Sequence, residues 1–287
     1  MQVIKPYRYY IVISILIASV FIIFKYSNQV IKLEPVHIDA IEFADVISIN
    51  DSLVAPIVYK SIPDLKKLNV EDRKKAFIDI VLPSVLLVEN RISTDKNRIE
   101  EIINMDEVIP HDTAFVALMM KTYKVKSIYD LPSHMITPPV CIIMAQAALE
   151  SGWGTSRFFL EGNNIFGMWS YSESHDRLAA GEKRGERQIY VRKFKDIYAS
   201  VLNYYQTLGR LKAYANFRKA LETESDPYVI VSYLNKYSER GEAYTNTVAS
   251  MIRQNDMEKF AAYRLLPEWA MEYELTYNSY VLREEGQ

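Results

Sequence analysis

A single carboxylate closes an otherwise apolar run in this 287-residue sequence, Ala147-Ala148-Leu149-Glu150-Ser151-Gly152-Trp153-Gly154-Thr155. Twelve residues after Glu150 begins the stretch Gly162-Asn163-Asn164-Ile165-Phe166-Gly167 has opened, with two amides between glycines. Val140, Ile143, Met144 and Ala147 recur at i, i+3, i+4 and i+7, and Cys141, Ile142 and Ala148 carry the apolar surface further round, so the spacing predicts a buried helix. Thr137 followed by Pro138 and Pro139 predicts its start, a hydroxyl N-cap and then prolines where backbone N–H groups have no intrahelical partner. Gly152 suits the left-handed residue that ends it. Glu150 then falls on the packed face, where a carboxylate is rare without a partner or a purpose. Burial raises a carboxyl pKa, and the helix C-terminus pushes the same way by roughly 0.3–1 kcal/mol. A glutamic acid kept protonated near neutral pH can act as the general acid that cleaves a glycosidic bond. Local spacing alone equally allows a helix-end Glu turned to solvent or paired with Arg157.

The motif pair resembles the glucosaminidase family typified by flagellar and autolysin-type muramidases and, more narrowly, the Bax-like proteins of Gram-negative bacteria. The narrower resemblance includes Leu68-Asn69-Val70-Glu71-Asp72-Arg73-Lys74-Lys75-Ala76-Phe77, Leu82-Pro83 and Glu89-Asn90 upstream, and Tyr237-Ser238-Glu239-Arg240-Gly241-Glu242-Ala243-Tyr244-Thr245 downstream. It covers roughly residues 64 to 262. It implies a lysozyme-like α+β catalytic domain, a peptidoglycan glycan substrate and Glu150 as the acid.

Glycoside hydrolysis usually employs a second carboxylate as base or nucleophile. The resemblance implies that it comes from a hairpin across the cleft, where this sequence offers Glu182 and Glu186. Glu182 sits about where the first strand should be. Both could instead be solvated members of the charged run Glu182-Lys183-Arg184-Gly185-Glu186-Arg187, in which case the substrate's own N-acetyl group could serve. Tyr244 is displaced by one position from the family's active-site tyrosine, and Asn246 stands where that segment has Asp, so Tyr244 is either catalytic or a helix-start tyrosine. Asn163 and Asn164 suit a tight turn, and the resemblance implies cleft-lining, substrate-binding roles for them and for Phe166. Trp169 and Trp153 can stack on pyranose rings; Trp153, between two glycines, equally suits packing beneath the catalytic helix.

Composition excludes other classes. A net charge of −2 and a pI near 6.2 give no electrostatic case for nucleic acid. Four histidines without metal-ligand spacing and one cysteine, Cys141, imply no metal centre and no internal disulfide. No phosphate loop or dinucleotide fingerprint implies a cofactor. His175-Asp176 reads as part of a solvated loop, and Cys141 as a small buried hydrophobe.

Tyr9 to Phe24 is a run of sixteen uncharged residues between Lys5, Arg8 and Lys25. As a helix it would span about 24 Å, short of a ~30 Å hydrocarbon core but long enough with snorkelling or local thinning. No small-x-small cleavage site follows, so the expectation is an uncleaved anchor rather than a signal peptide, with residues 1–8 inside and the catalytic part on the cell-wall side of the inner membrane. Residues 25–63 read as a stalk whose best extended segment is Ala40 to Ile49. A helical subdomain is expected over 64–130, with helix from Val70 to Arg91 broken or kinked at Pro83, then Asn97 to Asn104 and Ala114 to Tyr123. The catalytic domain follows over 131–265, with a hairpin in Arg177 to Phe194 and helices in Asp196 to Ala213, Asp226 to Lys236 and Tyr244 to Phe260; residues 266–287 form a tail. The fold expected is mainly α with one small hairpin. A lytic transglycosylase, which also needs one acid, is the nearest alternative activity, and an inactive wall-binding protein the alternative outside enzymes.

Overall fold

The computed structural model describes residues 33–266 except 106, 108, 185 and 186, so the expected anchor at Tyr9 to Phe24 and the C-terminal tail lie outside the described residues. Among those described, no helix is long and apolar enough to cross a membrane.

The longest element is helix α1, Val70–Ile103. Asn69 caps it, its side chain accepting from the Glu71 and Asp72 amides at 3.0 Å each, and acidic residues occupy the first turn where the helix dipole favours them. Of the kink or break expected at Pro83, the break does not occur, and Asn97 to Asn104 is the last stretch of this helix rather than a separate one. Ile80 through Val88 are all buried. The packing of so long an apolar stretch outweighs the ~3 kcal/mol an interior proline costs. Helices α2 (Pro110–Tyr123) and α3 (Leu131–His134) follow, and then α4 (Val140–Ser151), the helix that carries Glu150.

Helix α4 starts later than the sequence suggests. Pro139 is its N-cap with extended ψ, and Thr137 makes no cap. The reason is steric: a residue before proline is pushed out of the helical region, so Pro138 cannot form the first turn. After α5 (Arg157–Gly162) comes the antiparallel hairpin of β4 (Arg177–Arg184) and β5 (Arg187–Arg192). Helices α6 (Ile197–Arg210), α7 (Ala215–Thr223), α8 (Pro227–Ser232) and α9 (Glu242–Gln254) complete the helical set, and a 3-10 segment, Met257–Ala262, packs on α4. Helix α7 escaped the sequence reading.

Residues 33–63, expected as a stalk, instead pack on this core. Strand β1 (Val36–Asp39) pairs in parallel with β3 (Ile57–Ser61), while β2 (Leu53–Val54) pairs with β6 (Arg264–Leu265) near the far end of the described chain. The segment Ala40 to Ile49 contains a 3-10 turn at Phe43–Asp45 and no strand. Val54, Ile57, Val58 and Tyr59 are buried, and Tyr59 Oη accepts from the Ile47 amide at 2.9 Å.

Helix α6 ties the layers together. Asp196 caps it, accepting from the Ala199 amide at 2.7 Å, and Ile197, Val201, Tyr204, Tyr205 and Leu208 form its buried face at helical spacing. The adjacent tyrosines reach different helices: Tyr205 Oη donates to Glu89 Oε1 of α1 at 3.4 Å, and Tyr204 Oη donates to Gln146 Oε1 of α4 at 2.8 Å. Gly209 lets α6 approach its neighbours, since a Cβ there would lie 2.3 Å from the His134 carbonyl oxygen.

Burial pushes the Glu89 carboxyl up to about 8, against the opposing Tyr205 hydrogen bond and the Arg264 charge. A carboxyl raised on folding contributes stability that is complete below its unfolded pKa and is lost as pH rises through its folded pKa. Denaturant unfolding of the wild type should therefore show stability falling between about pH 5 and pH 8, by on the order of 3 kcal/mol, and Glu89→Gln should remove most of that slope. An unchanged slope in Glu89→Gln would contradict the assignment.

Candidate active site

Glu150 stands in the last turn of α4, and local chain chemistry fixes where that turn ends. Gly152 adopts φ +58°. Ser151 Oγ donates to the Ala147 carbonyl at 2.6 Å and accepts from the Gly154 amide at 3.0 Å, so one buried hydroxyl closes the helix and starts the next turn. Trp153, at φ +56°, packs edge-on against Phe77 of α1 with ring centroids 5.6 Å apart. It supports the helix end from behind and does not line the cleft.

Beneath the acid lies a directed chain of hydrogen bonds. Tyr204 Oη donates to Gln146 Oε1 at 2.8 Å, and Gln146 Nε2 donates to Tyr244 Oη at 3.0 Å. The Tyr244 hydroxyl proton is thereby free to go to Glu150, to which its side chain is hydrogen-bonded. Gln146 is fully buried and lies one turn before Glu150 on the same helix. Around these groups the rings form a stacked wall. Phe166 and Tyr204 lie 4.0 Å apart and nearly parallel, Tyr237 meets Tyr204 edge-on at 5.8 Å, and Tyr237 stacks on Tyr244 at 5.1 Å. Tyr237 Oη donates to the Phe166 carbonyl at 3.0 Å, joining the chain before α9 to the amide-rich turn after α5.

This wall decides the electrostatics. Burial raises the Glu150 carboxyl above its ordinary value; the Tyr244 hydrogen bond and the charge of Arg240 pull it back and do not cancel the rise. Tyr244 is itself pushed far above the usual phenol range, first by burial and then by the nearby tyrosine and carboxylate. It acts here as a neutral hydrogen-bond donor.

Glu150 opens into a cleft of about 630 Å³, lined on the same side by Phe166, Tyr204 and Tyr237. The opposite wall is the loop after Gly167, where Trp169 is 42% and Tyr171 86% exposed with centroids 6.1 Å apart. Two exposed aromatic faces in a cleft suit the apolar faces of sugar rings. Strand β5 holds this loop: the Ser170 amide donates to the Tyr190 carbonyl and the Arg192 amide to the Met168 carbonyl, both at 2.8 Å. Glu150 is the one carboxylate among the described residues that line the cleft.

The sequence-derived residues divide. Glu150, Phe166 and Trp169 line the cleft, and Tyr244 touches the acid from below. Asn163 and Asn164 are not among the described residues that line the cleft, and both side-chain amides bond backbone groups. Asn163 takes a left-handed conformation at the end of α5 and donates to the Phe194 carbonyl at 3.1 Å. Buried Asn164 donates to the Met168 and Arg192 carbonyls at 2.9 and 2.8 Å and accepts from the Met168 amide at 2.8 Å. Its amide fastens loop to hairpin, because a buried turn must find partners for its backbone groups. Glu182 falls in β4, within the irregular register between Ala179 and Lys183, and Glu186 lies outside the described residues. His175, expected in a solvated loop, lines the cleft with a buried Nδ1 that finds no hydrogen-bond partner among the described residues. Cys141 is buried, as expected. Among the described residues no cluster of His, Cys, Asp or Glu could hold a metal ion.

Gln146 escaped the sequence reading. Its signal is present: one amide in a helix whose other interior positions are apolar, one turn before the acid. Tyr204 gave no such signal, because nothing local marks one tyrosine among twenty-one.

This chain is similar to several known proteins. Residues 128–257 match the family model of mannosyl-glycoprotein endo-β-N-acetylglucosaminidase. The protein bax of Escherichia coli K12 is 29% identical over 210 residues, covering 68% of this chain and 74% of the relative. Among solved structures, the catalytic domain of the autolysin Auto from Listeria monocytogenes is 15% identical, with a TM-score of 0.38, over 58% of this chain and 96% of that one. The glycoside hydrolase domain of Salmonella typhimurium FlgJ is 20% identical, with a TM-score of 0.33, over 60% and 92%. The matched span holds α4, the hairpin and α9, and together with the similarity to bax it supports reading this chain as a Bax-like glycosidase of the glucosaminidase family.

Proposed function

We propose that the chain hydrolyses the glycan strands of peptidoglycan as an endo-β-N-acetylglucosaminidase, with Glu150 as general acid. The observation that carries this reading is the Glu150 carboxyl, raised by burial yet open to an aromatic-walled cleft. In the first half of the reaction its proton passes to the glycosidic oxygen as the C–O bond breaks, and the leaving strand departs with a free hydroxyl. The positive charge that develops on the sugar needs a negative or nucleophilic partner on the opposite face. That partner is a hairpin carboxylate, Glu182 or Glu186, or the substrate's own acetamido oxygen, which would close onto C1. Glu150, now ionised, then takes a proton from the attacking water. A lytic transglycosylase is the second reading, favoured by the single carboxylate among the described cleft residues, since that reaction needs one acid and no water.

The reading includes a membrane anchor at Tyr9 to Phe24, supported by its sixteen uncharged residues between basic flanks. The catalytic cleft would then work on the extracytoplasmic side of the inner membrane, where its substrate is.

Digestion of purified sacculi followed by mass spectrometry tests both the activity and its acid. Wild-type protein should release strands ending in reducing N-acetylglucosamine, and Glu150→Gln should lower the rate by at least about 10²-fold while keeping its melting temperature. Anhydromuramic ends would establish the transglycosylase instead; near-normal turnover by folded Glu150→Gln would remove Glu150 from the mechanism. In the same assay one of Glu182→Gln and Glu186→Gln should be slow if the hairpin supplies the partner. If both and the double variant keep most activity, the acetamido group does that work.

The pH profile tests Tyr244. A general acid works only when protonated, so kcat/KM falls as pH rises through the Glu150 pKa. The Tyr244 hydroxyl stabilises the ionised form, and its loss leaves burial opposed by Arg240 alone. Tyr244→Phe should therefore move the alkaline limb to higher pH while lowering the maximal rate about tenfold or more. A limb that stays in place or moves to lower pH would contradict the hydrogen-bond chain.

A further inference from the structure

The cleft that holds Glu150 is cationic in a chain that is acidic overall. Among the described residues three basic side chains line it, Lys124, Arg192 and Arg210, against the single carboxylate of Glu150. The whole chain carries a net charge of −2. Each basic residue is placed by a different element: Lys124 ends α2 in a left-handed conformation, Arg192 closes β5, and Arg210 is the last residue of α6. Their convergence is therefore a product of the fold and not of one basic stretch of sequence.

Neither arginine has a carboxylate within ion-pair distance among the described residues. Both are half-buried. Arg210 Nη2 donates to the buried Thr207 hydroxyl at 2.9 Å, and the Arg192 guanidinium lies over the Phe194 ring at 5.2 Å. Those contacts fix the two groups without neutralising them. They also repel each other, since Arg210 is made less basic by burial and then by the charge of Arg192. Half-buried like charges with no counter-ion among the described residues are costly to hold together, and a bound anion relieves the cost. A helix C-terminus accounts in part for Arg210 and for Lys124, but not for Arg192, which closes a strand.

We propose that Arg192 and Arg210, with Lys124 at the rim, form a carboxylate-binding subsite beside the acid, selecting glycans whose substituents carry carboxylates over neutral ones. Guanidinium groups bind carboxylates with two parallel hydrogen bonds, which gives orientation as well as charge. On a peptidoglycan strand such carboxylates come from two sources: the lactyl group of a bare muramic residue, or the peptide stem that replaces it. The inference rests on the glycan substrate proposed above, and its test separates the two.

Three soluble strand preparations would be compared: native stem-bearing strands, the same strands with carboxylates converted to methylamides, and strands stripped of stems by an amidase. The wild type should favour native over methylamidated strands by about tenfold or more in kcat/KM, mainly through KM, and the preference should shrink between 0.05 and 0.5 M salt as charge is screened. In Arg192→Gln and Arg210→Gln the ratio should fall towards one, and Arg192→Lys and Arg210→Lys should recover part of it. Good cleavage of stripped strands, lost on methylamidation of the lactyl carboxylate, would assign the subsite to that group; poor cleavage assigns it to the stem. Equal cleavage of native and methylamidated strands by the wild type overturns the subsite and leaves the hydrolase reading standing. If no strand is cleaved at all, the proposed function fails, and the subsite is judged by calorimetric binding of native strands. Binding to Glu150→Gln should then be about tenfold tighter than to Glu150→Gln combined with Arg192→Gln. Equal affinities overturn it.

Discussion

A glutamic acid can be kept protonated beside a solvent-filled cleft only if the protein desolvates it from one side and leaves it reachable from the other. Here that division runs through Glu150. Below it, Tyr244, Gln146 and Tyr204 pass a hydrogen bond along one direction, and the rings of Tyr237 and Phe166 keep water away from the relay. The direction matters. Because Tyr204 donates to the Gln146 oxygen, the amide must present its nitrogen to Tyr244, and Tyr244 can then present only its proton to Glu150. A buried amide with both ends engaged is a fixed part, and it holds the tyrosine in one role.

The architecture follows from the need to bring those four side chains together. Gln146 and Glu150 share a helix face, while Tyr204 and Tyr244 arrive on α6 and α9 from much later in the chain. Burying α4 on nearly every side gives a platform that packing alone holds rigid, and α1 supplies much of that packing. The hairpin is attached differently. Its base is pinned by Asn164 and by backbone pairing to the loop that carries Trp169, which forms the far wall of the cleft. One wall thus belongs to the core and the other to a lighter element.

Much of the candidate site was legible in the sequence because its parts are local. Glu150 at the end of an apolar helix, Gly152 after it and the strand alternation before Phe194 each follow from spacing within a dozen residues. What sequence could not supply is convergence. Whether Asn164 faces a sugar or a backbone carbonyl depends on the hairpin packed above it, and Pro83 is tolerated because distant residues bury the helix around it. The same holds for Arg192 and Arg210, ordinary surface residues by their local context, which the fold turns towards one cleft. Residues 33–63 read as a stalk because their strands are short and their partners lie elsewhere, one of them beyond residue 260.

The proposed mechanism depends on the protonation of one carboxyl group. Carbon-13 NMR of protein labelled at glutamate side-chain carboxyls, compared with Glu150→Gln to assign the resonance, would follow that group directly. The structure predicts a Glu150 titration displaced above the ordinary glutamate range, because burial outweighs Tyr244 and Arg240. A resonance that titrates at the ordinary value near 4.3, or below it, would mean that the aromatic wall does not hold the proton, and Glu150 could not then be the acid described here.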